Sequence, residues 1–153
     1  MGNSLSVSST KALIRAKLKP GSIIHIFCDF IQNPKDKFCV IVHIDFEEDF
    51  LLLFLINSEI PSFILKNEVM KRCQLEIKKE DYSFFSKPIS YLNCAEVHDE
   101  LDVAKLIDHL IDTPDDYKGM LLEKEIEEIV QIVYASKTIG DYDKNLIFNS
   151  LGN

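Results

Sequence analysis

The chain has 153 residues, 46% of them apolar and 27% charged, with a formal net charge of −8. That length suits one domain with a real core, and five Gly with five Pro exclude a collagenous or low-complexity chain. The longest apolar run, Phe50 to Ile56, is far shorter than the about 20 residues a membrane-spanning helix needs. Met1 to Thr10 has no apolar stretch of secretory type, so a single cytoplasmic domain over 1–153 without a membrane partner is expected.

Ser9 or Thr10 is suited to cap a helix over Lys11 to Lys17, which Lys19-Pro20-Gly21 then ends. Strand chemistry follows. Ser22 to Phe30 and Phe38 to Asp45 are rich in β-branched and aromatic residues, with the polar turn Gln32 to Lys37 between them. Phe46 to Asp49 turns the chain into a third strand, Phe50 to Ile56, which Asn57 to Pro61 stops. Short connections predict an antiparallel meander, because parallel pairing requires a long crossover. Cys73 to Ile77 and Ile89 to Val97 read as fourth and fifth strands, so 19–97 is expected to curl into a small barrel. The remainder, 98–153, reads as helical: Val103 to Ile111 after Asp102, Glu123 to Ala135, and a last helix from Asp141 to Leu151. In the second of these Ile126, Ile129, Val130 and Val133 recur at helical spacing. The fold class is mainly β with packed C-terminal helices, an α+β chain.

Charge divides unevenly. Residues 1–92 hold 12 Lys/Arg and 11 Asp/Glu, whereas 93–153 hold 5 and 14. Only the C-terminal part is repelled by a polyanion; the strand half has room for a local basic site. Cys28, Cys39, Cys73 and Cys94 are scattered, which predicts free buried thiols. Zinc is not expected: His25 and Cys28 stand at i, i+3, and on a strand that spacing points to opposite faces. No cofactor is indicated.

The segment Lys19-Pro20-Gly21-Ser22-Ile23-Ile24-His25-Ile26 resembles the Pro-Gly-Asp-Ile-Val opening strand of the MazF/PemK-like toxins. A polar loop follows, then Lys37-Phe38-Cys39-Val40-Ile41-Val42, similar to that family's Arg-Pro-Ala-Leu-Val-Val, and a third strand closing on Asn57-Ser58. The resemblance covers about 19–97. It implies an SH3-like barrel, often a homodimer, acting as a metal-independent endoribonuclease on single-stranded RNA and held in check by an antitoxin or other regulatory protein. Lys37 then stands at the family's Arg position and Ser58 at its Ser/Thr position. Lys in place of Arg is a departure, since an ammonium cannot grip a phosphate bidentately.

Cleavage through the neighbouring 2′-hydroxyl requires proton transfer and charge stabilisation. Lys37 and Ser58 are candidate catalytic residues, with His25 or His43 as acid or base. Lys35, Asn57, Lys71 and Arg72 are candidate RNA contacts, and Phe84, Phe85 and Tyr91 either stack bases or pack a core. A partner is expected to cover the loop 31–37. The alternative is a barrel that keeps the fold without the chemistry and serves as a binding module for a protein partner.

Overall fold

The computed structural model describes residues 3–152. Its first helix, α1 (Asn3–Lys17), starts earlier than expected, so Ser9 and Thr10 lie inside it rather than cap it. Gly21, at φ +96°, makes the turn into β1 (Ser22–Cys28). A β-carbon there would meet the flexible end of Met120, at 2.9 Å from its Cε, so it is the backbone angle that requires glycine. Next come β2 (Lys35–Asp45) and β3 (Phe50–Asn57), the expected meander, although β2 begins inside the stretch read as a turn. Two short helices, α2 (Ser62–Leu65) and α3 (Glu68–Lys71), lead to β4 (Gln74–Lys78) and β5 (Ile89–His98).

α4 (Val103–Asp112) keeps Asp102 at its N-cap position, but that side chain makes no capping bond. Instead Asp49, held at φ +53° in the β2–β3 turn, accepts the Ala104 N–H at 2.8 Å. A sixth strand, β6 (Tyr117–Met120), follows, then α5 (Glu123–Ala135) and α6 (Asp141–Leu151). Gly140, not Asp141, holds the N-cap position of α6.

All six strands form one antiparallel sheet in the order β4-β5-β3-β2-β1-β6, curled into a half-barrel. The fold is α+β with a barrel-like sheet. Helices cover both faces. One core joins Ile23, Val40, Phe54 and Leu92 to Ile129 and Val133 of α5 and Ile147 of α6. The other joins Ile24, Ile41 and Leu53 to Leu106 and Leu110 of α4, with Ile14 of α1 against it. Burial on both sides explains why Leu51 to Ile56 is continuously apolar instead of alternating. Among the described residues no helix is long and apolar enough to cross a membrane.

Candidate functional site

On the α4 side of the sheet a cleft of about 460 Å³ opens beyond the helices; no residue of α1 or α4 lines it. Its floor is the cross-strand pair of β2 and β3. Phe38 lies opposite Ile56, which sets Lys37 against Asn57, and the Lys37 ammonium donates to Asn57 Oδ1. Lys35 and Leu55 extend this floor, and apolar walls come from Phe30 and Ile31 of the β1–β2 loop and from Pro61, Phe63 and Ile64 around α2. Phe63 is 57% exposed.

The far wall is a bulge in β5. Leu55 pairs with Asn93 and Leu53 with His98, so four residues of β5 bulge where β3 supplies one. Asn93 holds the bulge from inside: its Oδ1 accepts from Ala95 N–H at 3.1 Å and from Gln74 Nε2 at 2.8 Å, and its Nδ2 donates to Glu96 Oε1 at 3.0 Å. Thr138 holds the other side, donating to the Ala95 carbonyl at 2.7 Å. The distortion brings Asn93, Glu96 and His98 into the cleft lining. The His98 ring lies 5.3 Å from that of Phe30, and its Nδ1 is 3.6 Å from Glu100 Oε1.

Burial pulls the Lys37 ammonium below the usual lysine range, and the charge of Lys35 adds to that effect. Beneath it, on the same face, Cys28 and Cys39 bring their sulfurs to 3.9 Å. The contact with Cys39 lowers the Cys28 thiol, while the Cys39 thiol is pushed up by that contact and by burial. All four cysteines are free and buried.

The sequence-derived candidates are thus distributed unevenly. Lys35, Lys37 and Asn57 share the cleft. Ser58 follows Asn57 but is exposed and outside the lining. His25 and His43 lie on the opposite face of the sheet, so they do not join Lys37. The His25 ring stacks on Phe38 at 4.5 Å, and its Nδ1 is 3.6 Å from Asp116, whose other oxygen accepts from His109 Nε2 at 2.7 Å. His43 shares a 2.8 Å hydrogen bond with Ser150 of α6 and packs against Phe50. Lys71 pairs with Glu68 at 4.0 Å, and Arg72 borders a separate depression beside Cys73 and Ile132. Phe84 packs tilted against Phe38 and Phe85 meets it edge-on, as packing partners.

Glu96 and His98 escape a reading of the sequence by alternation. The signal that betrays them is the polar break at Asn93 and Glu96 within an otherwise apolar strand, the mark of a bulge. Among the described residues no three His, Cys, Asp or Glu side chains are arranged to hold a metal ion. Compared with known proteins, the chain matches no family model, no curated protein and no solved structure.

Proposed function

We propose that the chain is a toxin-like endoribonuclease that cuts single-stranded RNA in this cleft without a metal. One observation carries the reading: a single cleft gathers two lysines, a carboxylate and an imidazole between aromatic walls. Lys35 and Lys37 supply the cations a phosphate requires, and Phe30 and Phe63 offer faces on which bases stack. Glu96 takes the proton of the 2′-hydroxyl as its oxygen attacks phosphorus. The bond from phosphorus to the 5′-oxygen breaks, and protonated His98 delivers a proton to that leaving oxygen. The products are a 2′,3′-cyclic phosphate and a 5′-hydroxyl. Lys37 stabilises the charge that builds on the phosphorane. The resemblance to MazF/PemK-like toxins between Lys19 and Val97 supports the same chemistry, with Lys37 in the role of the family's Arg, and with it a homodimer, a cytoplasmic setting and an inhibitory partner over the loop 31–37.

The test is cleavage of a long single-stranded RNA by purified protein, with and without chelator. Cutting is expected in both. Glu96→Gln and His98→Ala are each expected to lower the rate by about 10²–10⁴-fold, and Lys37→Ala to weaken RNA binding as well. RNA left intact by the wild-type chain overturns the reading.

One observation favours the alternative, a non-catalytic module for a protein partner. The Lys37 ammonium is already engaged by Asn57, Glu96 by Asn93, and the Ser58 hydroxyl lies outside the cleft. In that case a partner captured from cells stays bound to Lys37→Ala and His98→Ala variants, and RNA is untouched.

A further inference from the structure

A second feature lies at the end of the sheet, away from the cleft, and is independent of the function proposed for it. β4 is an end strand. Cys94 N–H donates to the Cys73 carbonyl at 3.0 Å, and Lys79 N–H to the Pro88 carbonyl at 2.9 Å. With the register of Gln74 opposite Asn93 and Lys78 opposite Ile89, the odd-numbered residues bond to β5. The backbone N–H and C=O groups of Gln74 and Glu76 and the N–H of Lys78 therefore point outward, away from the sheet, while the Lys78 carbonyl accepts the Asp81 N–H at 3.0 Å. A groove of about 450 Å³ runs along this edge, walled by Glu125, Glu128 and Ile132 of α5.

The charge of the groove says what it takes, and that charge is acidic. Lys124 is held by Asp81 at 3.0 Å and Glu125 by the Tyr82 hydroxyl at 2.6 Å. That leaves Glu76 and Glu128 without an ion pair among the described residues and Lys78 alone opposing them. The other end strand, β6, is only four residues long and contains Gly119 at φ +105°, a poorer template.

We propose that the outer edge of β4 is a docking site for an extended basic segment of a partner protein, which adds a seventh strand to the sheet. Backbone bonds to Gln74, Glu76 and Lys78 supply the pairing. Alternate side chains of the guest face α5, with apolar ones against Ile132 and basic ones toward Glu128.

A fluorescein-labelled Lys-Val peptide of repeating Lys-Thr-Val-Thr, which sets Lys and Val in turn on one face, with Glu-for-Lys and proline-interrupted versions as controls, tests this by anisotropy on the full chain. The Lys-Val peptide is expected to bind saturably and to raise hydrogen-exchange protection at the Glu76 and Lys78 amides. Both control peptides are expected to bind at least about tenfold more weakly, as are the Glu76→Pro and Glu128→Lys variants. Proline at 76 removes an N–H that β5 does not use, so the urea midpoint is expected to stay put. If that variant nevertheless unfolds, Glu128→Lys and the exchange measurement decide. Equal binding of the proline-interrupted peptide, or no saturable binding, overturns the proposal. So does a wild-type dimer in sedimentation that Glu76→Pro splits, because the occupant is then a second copy of the chain.

Discussion

Tyr82 and Glu125 form a buried pair whose two groups depend on each other. The hydroxyl donates to the carboxylate at 2.6 Å and accepts the Leu122 N–H at 2.8 Å, so it anchors the first turn of α5 to the β4–β5 connection. Glu125 is only 4% exposed. Tyr82→Phe leaves that carboxylate and that N–H short of partners, and a loss of about 1–3 kcal/mol in urea unfolding is expected. Burial, and then the bond to Glu125, raises the Tyr82 hydroxyl above its usual value of 10.0. The unfolded chain therefore ionises first in alkali. Stability present below pH 10 should fall as pH rises above it, and the Phe variant should show a shallower fall. Lys37 has the opposite character. Its ammonium is disfavoured by burial and by Lys35, so Lys37→Met is expected to leave stability within about 0.5 kcal/mol while RNA affinity drops. A residue kept for packing would show the reverse.

At the scale of elements, attachment of α6 to β2 rests partly on His43 and Ser150. Burial lowers the His43 imidazole below its usual 6.5, with Asp45 working against that shift. Acid then charges the unfolded chain more readily than the folded one. The His43 contribution is present above pH 6.5 and lost as pH falls through the folded value. Urea midpoints measured from pH 7.5 to pH 5 should drop more for the wild-type chain than for His43→Gln. The strands were legible because β-branched runs end at strong punctuation: Lys19-Pro20-Gly21 before β1, Phe46 to Asp49 between β2 and β3. β6 was not, since Tyr-Lys-Gly-Met has neither alternation nor length; pairing with β1 alone makes it a strand. The site was half legible. Lys35, Lys37 and Asn57 stand where strand ends place them, but the bulge that adds Glu96 and His98 is held by Asn93 within β5 together with Gln74 and Thr138 from distant segments. His25 and His43 do not join Lys37 because His25 pairs with Phe38, one residue out of phase with Lys37, and the bulge between Ile41 and His43 turns His43 to the other face.

For the whole molecule, the sheet depends on the helices that follow it. α4 buries Leu106 and Leu110 on one face, and α5 and α6 bury Ile129, Val133, Ile147 and Leu151 on the other. Six such side chains, at about 1.5–3 kcal/mol each, match the whole stability of a typical domain, about 5–15 kcal/mol. A fragment ending at residue 98 is therefore expected to show no cooperative urea transition and to aggregate, whereas the full chain unfolds in one step.

The pairing of Ser22 with Met120 also sets an order of events. During synthesis β1 is made well before β6, its neighbour on one side, which follows only after α4. Until then the nascent polypeptide carries a bare, apolar border, Ile-Ile-His-Ile-Phe. Such long-range closure is slow and leaves time for misassembly, so yield of native protein should respond to chaperone supply more than to its final stability.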